Sequence, residues 1–358
     1  MRKGLILCIA FLGVLASCEP NYEKSAFNFP IKEIDFPTAV DSLSPKLVSE
    51  EDYHSSLFKV LDDSLLLSVS IYNGGKKAFM LQSIETSDTL MTLVRRGRGP
   101  GEALRPNSYV HLEDGNLHFV DKMTGTYYNL DLHKSLQDRT ERYDRITSLT
   151  PGSTYASYSD IAMVGKDSLL CYNTCVPAKD IEYGLDGVPY FTMFDVTDGK
   201  LLQNFRIFEN VPLEQKPSYK CDVQLFSAFH GCSNPETGSF CFAMVRFPQI
   251  NFLDCKTGEV IGLRLRKGPK ASMIKPHTCF EAACTDGDRI YLLYSGAKLT
   301  ERETTDTKLM VVDWSSHRID CYNLDGPYFT CAVSSDKLYL ARDGCVNKLF
   351  SLPLSELE

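Results

Sequence analysis

The sequence predicts an all-β domain folded as a six-bladed β-propeller, preceded by a lipoprotein signal peptide and a short tether. Three observations predict it. A turn-and-strand pattern returns six times between residue 63 and the C-terminus. Equivalent positions recur mostly about 50 to 60 residues apart, the period of a repeat that carries several strands per unit. Helical periodicity is almost absent from the body of the chain. A stack of unrelated β-sandwiches is the alternative architecture, and it leaves six matched units unexplained.

The elements follow in chain order. Arg2 and Lys3 precede an apolar run over residues 5–16, shorter than the roughly 20 residues that a spanning helix needs. A charged start, a short apolar middle and small residues before a cut define an export signal. Leu15-Ala16-Ser17-Cys18 resembles the bacterial lipobox at all four positions. Residues 1–17 are therefore expected to be removed and Cys18 to carry lipid; an ordinary signal cut elsewhere, with Cys18 incidental, is the other reading. Residues 18–30 have few apolar side chains and no periodicity, which suits a tether, and 31–358 are assigned to the propeller. No second hydrophobic stretch approaches spanning length, so lipid is the expected membrane attachment.

Each repeat opens on a turn pair that leads into a strand: Asp63-Ser64-Leu65, Asp114-Gly115-Asn116, Asp167-Ser168-Leu169, Gly238-Ser239-Phe240, Asp288-Arg289-Ile290 and Asp336-Lys337-Leu338. These are hairpin signals followed by apolar residues. A second strand follows, as in Tyr127-Tyr128-Asn129-Leu130-Asp131 or Leu309-Met310-Val311-Val312-Asp313, and four units then enter a polar turn and a further strand. The sixth unit has no room for its outer strand. An N-terminal strand from residues 32–36 or 43–49 is expected to supply it and close the ring, which removes an exposed sheet edge.

The 341 residues from Cys18 onward carry 36 basic and 46 acidic side chains, a net charge of about −10 that disfavours nucleic acid or anionic lipid headgroups as partners. Of thirteen cysteines, most occupy apolar strand positions, as in Phe240-Cys241-Phe242, and read as small buried hydrophobes. One or two disulfides are the alternative. Cys171 with Cys175, and Cys279 with Cys284, lack the spacing and the histidine partners of zinc sites.

Arg96-Gly97-Arg98-Gly99-Pro100-Gly101-Glu102, then Pro106, then 114–121 and 127–131, resembles an NHL-type propeller repeat over one blade. With the lipobox and the six units, the whole chain resembles the TolB-like six-bladed propeller lipoproteins of Bacteroidetes, the group called BF3164-like. The resemblance implies a six-bladed fold and a cell-envelope address; it implies no reaction. Only the second unit keeps the glycine-proline-glycine-glutamate signature, so NHL-style RNA or protein recognition does not carry over to the other blades.

Candidate chemistry is sparse. The glycines of the 96–102 loop suggest a phosphate cradle, but no lysine-serine pair follows and Pro106 interrupts any helix there. The loop is expected to turn the chain between blades; the alternative is an anion-binding rim of Arg96, Arg98 and Arg105. The seven histidines stand at no metal-ligand spacing, and no Gly-x-Ser-x-Gly elbow exists. Asp131, Asp195, Asp254 and Asp313 recur once per unit. They are read as the first residues of β-turns, where an aspartate side chain bonds the backbone two residues on, rather than as carboxylates gathered around a central cation. Aromatic-rich insertions at 155–158, 183–190 and 226–232 enlarge the third and fourth units, in connections where binding residues concentrate.

Without a catalytic motif, the leading expectation is a non-enzymatic envelope lipoprotein, held by N-terminal lipid, that binds or scaffolds a protein, peptide or glycan; no cofactor is expected. The alternative is a metal-dependent lactone or ester hydrolase working at the central channel, motivated by the fold alone. Glu19 is not the aspartate that retains lipoproteins in the inner membrane. The expected address is the outer membrane, with its periplasmic face ahead of the cell surface.

Overall fold

The structure is a computed structural model that describes residues 27–50, 57–69, 77–99, 101–107, 110–150, 158–173, 190–208, 228–266, 277–342 and 348–357. Its strands form six sheets arranged as a six-bladed propeller. Blade one runs Phe58–Leu61, Leu65–Val69, Lys77–Ser83, Thr89–Arg95, and blades two to five repeat that antiparallel order over 111–148, 158–205, 229–265 and 277–324. The signal segment 1–17 and the lipobox lie outside the described residues.

Blade six shows how the ring closes. Its own strands are Thr330–Val333, Lys337–Ala341 and Leu349–Pro353, and Lys46–Ser49 pairs antiparallel with the last of these. This picks the second of the two N-terminal candidates. The region of the first candidate has another role: Ile31–Ile34 pairs in parallel with Val260–Leu265 as a fifth strand of blade four, and Ala39–Leu43 pairs in parallel with Ile319–Leu324 on blade five. The N-terminal chain thus wraps the outside of two blades before closing the third.

The core lies in the gaps between blades. Six hydrophobic clusters each join two consecutive sheets, from blades one and two round to blades six and one. A second strand therefore packs on both faces. Phe240 and Phe242 face blade three while Cys241 and Ala243 face blade five. This explains why such strands read as continuous apolar runs rather than as alternation. It also explains the cysteines: the eight in the described residues are free and buried, small enough to fit where two sheets approach. Burial keeps the Cys171 thiol well above its usual range.

In every blade the six turn signals enter the second strand, and the strand found after each is the third. The first strands lie closest to the axis, where those of neighbouring blades meet one another. Connections from first to second and from third to fourth strands emerge at one end of the ring, here the lower face. They are tight, apart from 132–142, where Asp131 caps the helix Leu132–Asp138 by accepting from Lys134 N. Connections from second to third strands, and from one blade to the next, emerge at the upper face and include the long ones.

Candidate functional site

Because first strands ring the axis, a residue early in a first strand or on a second-to-third connection stands at the upper mouth of the channel. Among the described residues, a charged group at this mouth lies between blades four, five and six. Glu281, on the first strand His277–Thr285 of blade five, is 2% exposed. Ser295 Oγ lies 2.7 Å from one carboxylate oxygen, and Arg302 Nε donates to the other at 2.8 Å. Arg302 comes from the short 3-10 turn Arg302–Thr304 in the upper connection, and its guanidinium stacks 4.3 Å above the Phe329 ring at the entry to blade six.

Blade four supplies Arg246, whose Nη1 donates to the His277 carbonyl at 3.0 Å. Burial lowers the pKa of Arg246, with the charges of Glu281 and Arg302 both within reach. Burial, then the Arg302 charge, pushes His230 down to about 4, so its ring is neutral near pH 7. Two guanidiniums thus face one buried carboxylate, with a neutral imidazole beside them. The excess is positive, and guanidinium forks suit carboxylates and other planar anions.

A second charged group sits at the same face between blades two and three. Lys122 lies in an upper connection, and burial lowers its pKa; Asp160 on the first strand of blade three opposes that shift and Arg105 adds to it. The buried Asp121 carboxylate holds the neighbouring backbone by accepting from Leu104 N at 2.7 Å, Arg105 N at 3.1 Å and Met123 N at 2.9 Å. Of the three arginines of the expected rim, Arg105 is the one placed with this group. Arg96 and Arg98 are exposed on the loop before it, where Arg96 bridges to Ala103.

That loop already holds an anion of its own. Gly99 N donates to Glu102 Oε2 at 2.8 Å, and Arg95 Nε lies 3.3 Å from Oε1. A Cβ at Gly97 would stand 1.9 Å from Glu102 Oε2, so any larger residue there would push the carboxylate off its present position. Tyr128 and Tyr143 of blade two donate to the Glu102 and Gly101 carbonyls at 3.1 and 2.9 Å. The glycine cradle is filled from within, and the loop ties blade one to blade two. Glu102→Ala should loosen this tie and lower the melting temperature by about 1 to 2 degrees, the effect of about 1 kcal/mol in a domain of this size; a thermal melt checks it.

The aspartates fall where the turn reading puts them. Asp195 accepts from Thr197 N, Asp254 from Lys256 N and Asp313 from Ser315 N and Ser316 N. All lie at the lower face, between third and fourth strands, far from the axis. Those donors hold the Asp313 carboxyl well below the usual carboxylate range. The histidines disperse: His118 is buried 2.7 Å from Tyr127 Oη and pushed down to about 3, chiefly by burial, and His317 stacks on Phe252. Among the described residues no three His, Cys, Asp or Glu side chains form a group able to hold a metal ion. The insertions at 155–158 and 183–190 fall largely outside the described residues, whereas 229–232 of the third belong to the first strand of blade four, Phe229–Asn234, rather than to a connection.

The charged mouth was hidden from the sequence because its members come from residues 230, 246, 281, 295 and 302, on two blades. The one available signal was Glu281 itself, a carboxylate in the apolar run Cys279-Phe280-Glu281-Ala282-Ala283. A charge in a buried strand needs a partner.

No family model matches this chain, and no curated protein matches it. Solved structures do. A member of the DUF4221 family from Bacteroides vulgatus superposes with a TM-score of 0.53 at 12% identity, over 89% of this chain and 94% of that one. A putative exported protein from Bacteroides fragilis gives 0.47 at 11% identity, over 91% and 99%. The calcium-binding protein regucalcin from Agrobacterium tumefaciens gives 0.47 at 10% identity, over 88% and 95%. The first of these likenesses supports the fold, and what this chain is similar to is a propeller from Bacteroides.

Proposed function

We propose that this chain is a lipid-anchored envelope protein whose propeller binds a protein, peptide or glycan partner at its upper face. The carrying observation is the mouth cluster: Glu281, Arg302, Arg246 and His230 gather charge and hydrogen-bonding capacity at the face from which most of the long connections emerge. Longer connections on a rigid scaffold are where recognition is usually built. The excess guanidinium charge favours a partner that presents carboxylates. The acidic net charge of the whole chain disfavours nucleic acid, and no cofactor is needed for binding.

The hydrolase reading requires carboxylates, amides or imidazoles free to converge on a cation. Glu281, the buried carboxylate of the mouth, is instead engaged by Arg302 and Ser295, so no observation favours that reading. Affinity capture from envelope extract tests the proposal, with Arg246→Ala beside the parent protein. A specific partner that the variant recovers poorly is expected. Absence of a specific partner together with a measured turnover would overturn it.

The attachment has its own test. Cys18→Ala should leave the propeller folded and release it from membranes, because lipid is the strong anchor in the proposal. Fractionation and a melt of the purified variant read the two halves separately. Persistent membrane association would assign the attachment to a second anchor or to a membrane-bound partner.

A further inference from the structure

We infer that the lipid bilayer lies against the propeller wall between blades three and four. The assignment rests on lipid at Cys18, as proposed above, and adds where on the domain the bilayer lies. Phe27 is pinned: it is 6% exposed and packs against Phe29, Phe208 and Phe247 at centroid distances of 5.3, 5.5 and 5.8 Å. Its backbone bridges to Phe208, and Asn28 Nδ2 donates to the Arg206 carbonyl at 2.6 Å. The chain then runs on to blade four through Ile31–Ile34. Phe208 follows the last strand of blade three and Phe247 lies in a connection of blade four, so the tether enters the wall at that seam.

Eight residues separate Cys18 from Phe27, so nine residue steps join them. Whatever path they take, their reach is at most about 30 Å. A domain of this size is about 50 Å across, and six-residue strands with their turns make the ring about 30 Å deep. The seam of blades six and one, diametrically opposite, therefore cannot rest on the bilayer. What remains is the wall beside Phe27 and the rims next to it. That wall holds a groove of about 620 Å³ lined in part by Asn28, Phe29 and Arg206 and reaching down to Thr257 and Glu259 of the lower connection of blade four, with the exposed Leu201 and Leu202 opening the fourth strand of blade three beside it. Exposed apolar side chains also occur elsewhere on the rim, Leu90 of blade one among them, so the leash rather than their presence selects this wall. The mouth cluster is consequently held within reach of partners displayed at the membrane surface.

The test uses the full-length lipidated protein in vesicles of phosphatidylethanolamine and phosphatidylglycerol that carry an acceptor dye on the headgroup. A genetically encoded fluorescent amino acid replaces Leu202 in one variant and Leu90 in another, which leaves the cysteines alone. Energy transfer is expected to be several-fold stronger from position 202 than from 90. Inserting about twenty Gly/Ser residues after Tyr22 removes the constraint and should bring the two signals together; if position 202 still dominates, the wall itself prefers the bilayer, which supports the same orientation. Equal transfer at native tether length, or stronger transfer from 90, overturns the inference, including the case in which the wall is buried in a dimer of this chain. Intact mass keeps the outcomes apart: a protein lacking acyl mass at Cys18 refutes the anchor rather than the orientation.

Discussion

A chain cut after Asp343 will lose the single cooperative melting transition of its parent. The cut removes Leu349–Pro353, which pairs with Lys337–Ala341 on one side and Lys46–Ser49 on the other. Without it the N-terminal closing strand has no partner. It also removes Leu349 and Phe350 from two separate clusters, one joining blade six to blade one and one joining it to blade five, and strips Leu352 and Leu357 from the latter. At 2–5 kcal/mol for each large buried side chain the loss is about 10 kcal/mol, comparable with the whole stability of an ordinary domain. Hydrogen bonds remaining at the same seam, Asp63 N to Ser334 Oγ at 3.1 Å and Tyr339 Oη to Asp63 Oδ1 at 3.3 Å, are too few to hold it shut. Calorimetry of the truncated protein is the check. A melt that matches the parent would show that closure does not depend on the C-terminal strand.

The same seam shows what the sequence could reveal. Turn pairs such as Asp114-Gly115 have a local physical cause: both residues adopt positive φ, 47° and 76°, and a short polar residue followed by glycine is the pair that tolerates it in a tight hairpin. Six such signals located the second strands and hence the blade count. The first strands carried no such signal. His111–Glu113 is three residues of mixed polarity, and its place is set by neighbours on other blades. The parallel additions of Ile31–Ile34 and Ala39–Leu43 were equally hidden, because no local turn announces a pairing between residues more than 200 positions apart. Asp131 shows a partial reading: the aspartate does bond the backbone beyond it, but there it starts a helix rather than a β-turn. Charge at the mouth was least legible, since Arg246 and Glu281 meet only after two blades have packed.

Replacing Arg302 by Met should destabilise the domain by about 3 kcal/mol, because a carboxylate left buried without its cation costs that much or more. Glu281 has a side-chain exposure of 1% and cannot turn to water, whereas Arg302 is 37% exposed and can. The two single variants are therefore unequal: Glu281→Gln keeps an acceptor for Ser295 and frees a guanidinium that solvent can hydrate, so its loss should be the smaller. In the double variant the uncompensated charge is gone, and most of the Arg302→Met loss should be recovered. The double variant separates this cause from lost packing against Phe329: it restores no contact with the ring, so whatever loss it recovers is charge and whatever persists is packing. Urea melts of the four proteins measure all of this. A single-variant loss below about 1 kcal/mol, the size of an exposed ion pair, would mean that Arg246 alone neutralises Glu281, and that the mouth holds one committed guanidinium fewer for its partner.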